Sequence, residues 1–225
     1  AGLEPGHLVE FLESARADGG VRAVVLTGRG RFFSFGFDVP WLYDLPREAC
    51  GRFVTEFSAL LLRLYTYPKP VVAALNGHTI AGGCMLALAC DRRIMAREAG
   101  KISLNEVTFG STVFAAPVAM LRAVVGTRIA EQVLLSGAMY APDEALALGL
   151  VDEVVAPEVT LSTAGERARE LAAGDPVAFA HLKRLVRGPV LEEIRKNSTA
   201  SIEGFLDLWY SPSTRVKLRG IEIRT

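Results

Sequence analysis

The stretch that decides the reading is Asn76-Gly77-His78-Thr79-Ile80-Ala81-Gly82-Gly83-Cys84-Met85-Leu86-Ala87-Leu88-Ala89-Cys90-Asp91. It follows an apolar, β-branched run, Val71 to Leu75, which reads as a buried strand. It opens into a second apolar run, Gly83 to Cys90, which reads as a buried helix. Two glycines at the junction let the backbone approach a ligand closely. The first turn of a helix carries unpaired N–H groups and a partial positive charge. Strand, Gly-Gly turn and helix start therefore suit an oxyanion, which points to carbonyl chemistry.

Working outward, Val21 to Leu26 reads as another buried strand, closed by Thr27-Gly28. The segment RFFSFGFD (31–38) follows in a loop spanning Arg29 to Asp38. A turn at Gly36 would aim the N–H of Phe37 into a cavity. The N–H groups of Phe37 and Gly82 would then converge on one oxygen. Upstream, residues 7–17 read as a helix. Residues 48–66 read as a long amphipathic one, with Phe53, Phe57, Leu60, Leu61 and Leu64 inward and Pro68-Lys69-Pro70 as its stop. Downstream, Arg92–Ala96 and Lys101–Leu104 read as strands. Alternating strands and helices imply an α/β core with crossovers.

From about Phe114 the pattern is helical: Pro117–Val125, Arg128–Ser136, and a helix from Pro142 closed by Gly149. Val151–Val155 reads as a last short strand. Helices then run to the end, with breaks expected near Gly174-Asp175-Pro176, Gly188-Pro189 and Ser211-Pro212. The expected division is a core over residues 1–155 and a helical oligomerisation region over residues 156–225.

Composition narrows the classes. The 225 residues carry 25 Lys plus Arg and 25 Asp plus Glu, so no global charge draws the chain to nucleic acid or anionic membrane. Cys50, Cys84 and Cys90 lack ligand spacing and read as structural thiols. No metal is expected. No G-x-G-x-x-G or P-loop lysine implies a redox or nucleotide cofactor. No apolar run reaches membrane-spanning length. With no targeting segment visible, a cytoplasmic protein is expected, or an organelle-matrix one after leader removal. The abrupt start at Ala1-Gly2 suggests that residues precede it.

Taken together, VRAVVLTG (21–28), FSFGFD (33–38), PKPVVAALNG (68–77), AGGC (81–84), Cys90-Asp91 and ALALGLVDEVV (145–155) resemble the crotonase, or enoyl-CoA hydratase/isomerase, superfamily along nearly the whole chain. The family's usual first β-hairpin has no counterpart here. The resemblance implies an α/β fold: a crotonase-type spiral of repeated ββα units with a C-terminal helical trimerisation region. It implies a homotrimer or a hexamer made of two trimers. The implied ligand is an acyl-CoA thioester, with coenzyme A as part of the substrate and no tightly bound cofactor. The implied setting is fatty acid metabolism, with no nucleic acid or membrane partner. The thioester oxygen would sit in an oxyanion hole formed by Phe37 and Gly82.

Hydratases of the family use two glutamates. The position after the Gly-Gly-Cys turn is Met85 here, and the second is Glu106 in ISLNE (102–106). Adding water needs a positioned water and a proton donor, whereas moving a double bond needs one base. The string Leu104-Asn105-Glu106, with an apolar residue at 85, is similar to the monofunctional Δ3,Δ2-enoyl-CoA isomerases. The segment GSTVFAAP (110–117) is also closer to them. The implied catalytic residue is Glu106, its pKa raised by Phe109, Phe114 and Met85. Ser34, Phe35, Asp38, Gly83, Met85 and Phe109 are the candidate substrate-binding residues. Phe35 replaces a small residue before Gly36, and Phe37 is bulkier than usual, so both narrow the channel. Arg29 and Arg31 are candidates for the CoA phosphates, with Lys69 and Lys101 behind them. His78 reads as a hydrogen-bonded structural residue, Asp38 also as a turn anchor, and Asp91 as a local cap or ion-pair partner. Two alternatives stay open: another crotonase reaction (hydratase, lyase, decarboxylase, thioester hydrolase) and a catalytically silent CoA binder.

Overall fold

The computed structural model describes residues 5–98 and 100–220. In chain order, α1 (Pro5–Ala17) leads to β1 (Val24–Thr27), β2 (Phe32–Ser34), α2 (Val39–Asp44) and α3 (Arg47–Tyr65). Next come β3 (Val71–Leu75), β4 (His78–Ile80) and α4 (Gly82–Ala89), then β5 (Arg92–Ala96) and β6 (Ile102–Ser103). A 3-10 turn, Glu106–Phe109, precedes α5 (Ala115–Ser136), α6 (Pro142–Ala147) and β7 (Glu153–Val155). The chain continues through α7 (Thr160–Leu171), α8 (Pro176–Trp209) and α9 (Pro212–Leu218).

The strands come in pairs, and each pair splits between two parallel sheets. The first members form a sheet in the order β1-β3-β5-β7, and the second members form β2-β4-β6. Registers Val24↔Val71, Val72↔Arg92 and Ile94↔Glu153 define the first, and Phe32↔His78 and Thr79↔Ile102 the second. Each ββα turn of the chain therefore adds one strand to each sheet, which is a spiral. Asn76 locks the corners where the chain crosses between sheets. Its Oδ1 accepts from Gly28 N at 2.9 Å and its Nδ2 donates to Gly30 O at 2.9 Å.

β3 is buried on both faces, which explains its unbroken apolar sequence. Val71, Ala73 and Leu75 face the main core, with Phe57 and Leu61 of α3 and Leu88 of α4. Val72 and Ala74 face the opposite way, against Ala164 and Ala168 of α7. α8 packs on α3 and α5. It is pinned to the core by Asp91, which pairs with Lys183 at 2.7 Å and Arg187 at 2.9 Å and accepts from Val71 N at 2.7 Å.

Several expectations are corrected. The loop expected over 29–38 contains β2, and β4 follows β3 where no strand is expected; each has three residues, too short to show a period. α2 is a further short helix within the segment that follows the loop. The strand expected over 101–104 is shorter, Ile102–Ser103, and Glu106 opens the 3-10 turn after it. α8 runs through Gly188-Pro189 without a break. Leu185, whose carbonyl loses its donor to Pro189, lies on the exposed side of the helix. Asp91 holds no local partner but a helix 92 residues away. The break expected inside 117–136 is present, at Gly126, whose φ of 78° and ψ of 164° are non-helical.

Candidate active site

The second sheet and the start of α4 carry the site. Gly36, with φ of 85°, lies flat against the α4 entrance; a Cβ there would meet Gly82 N at 2.6 Å. A Cβ on Gly83 would meet Ser34 O at 2.2 Å, so this glycine lets α4 dock on the end of β2. The residue between strand and helix, Ala81, holds φ of 50°, a strained value for a residue with a side chain. Strand β2, the Gly36 turn and the helix start are thus pressed together. Among the described residues, neither Phe37 N–H nor Gly82 N–H has a backbone acceptor outside the regular elements. Gly82 is the first residue of α4, where a helix supplies no acceptor.

Beside them is a cavity of about 590 Å³. Its lining includes Phe35, Phe37, Ala81, Met85, Glu106, Phe109 and Phe114. Glu106 is 6 % exposed, and neither carboxyl oxygen has a hydrogen-bond partner. Loss of water around the charge pushes its pKa up to about 7, against a smaller opposing pull from its own backbone. The turn that carries it is held from two sides: Ser111 N donates to Glu106 O at 3.0 Å, and Thr214 Oγ1 of α9 donates to Gly110 O at 2.7 Å. A carboxyl poised near neutrality in an apolar chamber can move a proton next to a carbonyl.

A family model for enoyl-CoA hydratase/isomerase matches residues 6–218. The chain belongs to the enoyl-CoA hydratase/isomerase family. A putative enoyl-CoA hydratase of Thermus thermophilus is 42 % identical over 182 residues, 80 % of this chain and 71 % of that protein. The mitochondrial enoyl-CoA delta isomerase 1 of Homo sapiens is 33 % identical over 225 residues, 95 % of this chain and 71 % of that protein. The crystal structure of human mitochondrial delta3-delta2-enoyl-CoA isomerase superposes with a TM-score of 0.89 at 30 % identity, covering 97 % of this chain and 86 % of that one. The spiral of ββα units is therefore the crotonase fold, and the chain is an enzyme of the hydratase/isomerase family acting on CoA esters.

For this family member the residues read from sequence divide into two groups. Glu106, Phe37, Met85, Phe109, Phe35 and Arg31 line the cavity; Ser34, Asp38, Gly82, Gly83 and Arg29 do not. Ser34 Oγ accepts from Gly36 N at 3.0 Å and shapes the turn. Asp38 caps α2 by accepting from Trp41 N at 3.1 Å. Gly82 and Gly83 are buried at the start of α4. Arg29 is exposed, bridging to Phe32 through the backbone. Lys69 is occupied by the carbonyls of Ala15 and Asp18, both at 2.7 Å, so it caps α1 rather than facing a phosphate. Arg31 lies 4.9 Å from the Phe32 ring at the cavity wall. His78 Nδ1 accepts from Lys101 N at 3.3 Å and its ring stacks on Phe35, so it is structural and also lines the cavity.

The sequence reading missed Ser111, Phe205 and Trp209, which also line the cavity. Phe205 and Trp209 come from the end of α8, far along the chain. Their spacing of four residues on an apolar helix face was the available signal. The cysteines are free and buried. Among the described residues, no helix is long and apolar enough to cross a membrane.

Proposed function

We propose that this enzyme is a Δ3,Δ2-enoyl-CoA isomerase. The observation that carries the reading is that Glu106 is the one carboxylate among the described residues lining the cavity, while Met85 lines it too, at the position after the Gly-Gly-Cys turn. The thioester oxygen accepts from Phe37 N–H and Gly82 N–H. The Glu106 carboxylate takes a proton from C2, and the C–H electrons pass into a dienolate whose charge falls on that oxygen. The carboxylic acid returns the proton at C4, and the double bond comes to rest between C2 and C3. No water enters and no redox change occurs. One donor of such a pair contributes roughly 3 kcal/mol to barrier lowering.

Hydration is the second reading, because several similar proteins carry hydratase names. It needs a second acid or base to hold water, and a thioether at 85 cannot supply one. A silent binder has no use for a carboxyl held unpaired at such desolvation cost. The test is conversion of a 3-enoyl-CoA to the conjugated 2-enoyl ester, with hydration of the 2-enoyl ester measured beside it. Isomerisation that exceeds hydration and vanishes in Glu106→Gln supports the reading. Hydration as the dominant turnover overturns it.

We also propose that residues 156–225 form the assembly region of a homotrimer or hexamer, while the end of α8 also lines the cavity of the core over residues 1–155. Val177, Leu182, Leu185 and Val186 on α8 and Leu161 on α7 are large, apolar and exposed, which supports an unfilled contact. Light scattering showing a monomer would contradict this.

A further inference from the structure

The cavity holds polar atoms that isomerisation does not use. Trp209 Nε1, Ser111 Oγ and Asn105 Oδ1 are buried without hydrogen-bond partners, as are both Glu106 oxygens. All four residues line the same cavity. Among the described residues, the remaining buried side-chain atom without a partner is Arg93 Nε, which belongs to none of the lining residues. Orphaned polar atoms thus gather in one chamber, where a bound molecule can complete them.

Trp209 is 2 % and Ser111 5 % exposed. A buried polar group left unpaired costs roughly 1–3 kcal/mol, and a hydrocarbon acyl chain would leave that cost in place. The indole N–H can only donate, the Asn105 carbonyl oxygen only accepts, and the Ser111 hydroxyl does both. The surroundings are apolar: Phe205 stacks on Trp209 with ring centroids 5.5 Å apart, and Phe114 closes the wall. The cation of the lining, Arg31, sits over Phe32. An ionised tail would be poorly solvated beside the Phe205–Trp209 pair, so the matching group is neutral.

Resting on the acyl-CoA reading of this cavity, we propose that the preferred substrate carries a hydroxyl on its acyl chain beyond C4. The hydroxyl oxygen accepts from Trp209 Nε1–H, and the hydroxyl donates to Ser111 Oγ or Asn105 Oδ1. A ketone would satisfy donors alone and an alkyl chain neither. Trp209 and Ser111 thereby become specificity residues for the tail, separate from the proton transfer at Glu106.

Binding of saturated acyl-CoA esters tests this without turnover. Calorimetry compares an alkanoyl-CoA with isomers of the same length hydroxylated at successive carbons beyond C4. The expected result is one isomer binding about tenfold tighter than the alkyl parent, with the preference erased by Trp209→Phe and reduced by Ser111→Ala. No isomer binding tighter than the parent overturns the proposal, as does a Trp209→Phe variant that keeps the preference. Either failure beside intact isomerisation of 3-enoyl-CoA leaves the proposed function standing. Absence of binding by every CoA ester sinks both.

Discussion

Two buried ionic sites in this molecule are treated in opposite ways. At the foot of α8, Asp91 is surrounded: Lys183, Arg187 and the N–H of Val71 all bond to its carboxylate, and Arg187 also stacks 4.1 Å from the Tyr65 ring. In the cavity, Glu106 is buried more deeply still yet has no partner at either oxygen. Burying a charge without partners is costly, so a fold that leaves one unpaired spends stability there. The paired site holds a helix to the sheet. The unpaired one holds a proton acceptor near neutrality. The contrast separates structure from chemistry more sharply than burial alone.

Removing each carboxylate should therefore have opposite consequences. Glu106→Gln should lower isomerisation by about 10³-fold, the scale of a lost general base. The same variant should be more stable than the parent at alkaline pH. The folded-state pKa of about 7 lies above the ordinary carboxyl value of about 4.5, so this group favours folding below about 4.5 and that contribution is lost as pH rises through about 7. A displacement of this size corresponds to something on the order of 3 kcal/mol. Thermal melts of both proteins at pH 5 and pH 8 check it; equal gaps at the two values would break the comparison.

Asp91→Ala should act the other way, leaving the buried Lys183 and the partly buried Arg187 without their counter-charge. A loss of about 3–5 kcal/mol is expected in denaturant unfolding. The pH midpoint of whatever folded enzyme remains should stay in place. A shifted midpoint would mean that the two sites are coupled.

Gly36→Ala probes the backbone between them. The new Cβ lands against Gly82 N and the position has positive φ, so the proposed convergence of the Phe37 and Gly82 N–H groups should be spoiled. We expect kcat to fall about 100-fold, the effect of one lost oxyanion donor, with Glu106 still titrating near neutrality. Retained kcat would remove the two N–H groups from the mechanism.

The smallest effect belongs to Met85→Glu. A second carboxylate in the chamber should move the rising limb of the pH profile upward by about one unit through like-charge repulsion. An unmoved limb would mean that the two side chains do not face one cavity electrostatically.

The sequence made the frame of this site legible and its far wall invisible. Val71–Leu75 and the Gly82–Ala89 helix announce themselves because burial on all sides leaves a continuous apolar run. β2 and β4 did not, since three residues cannot display a period of two and their sequences are rich in Phe, Ser, His and Thr. Glu106 was legible only through its neighbours Leu104 and Asn105 and the family they resemble. Nothing local marks a carboxyl as unpaired. Trp209 was out of reach for another reason: it joins Ser111 in the cavity lining through the packing of α8 on α5 and α3, which no local spacing encodes. Asp91 was misplaced for the same reason, its partners lying on a helix that topology alone brings near.

The central claim is that an unpartnered, desolvated Glu106 is the base. The most direct measurement is the pH dependence of kcat/KM for isomerisation of a 3-enoyl-CoA by the wild-type enzyme. The account predicts a single rising limb with its midpoint at about 7, where the carboxyl loses its proton. A rate independent of pH from 5 to 9, or a midpoint at the ordinary carboxylate value, would contradict it.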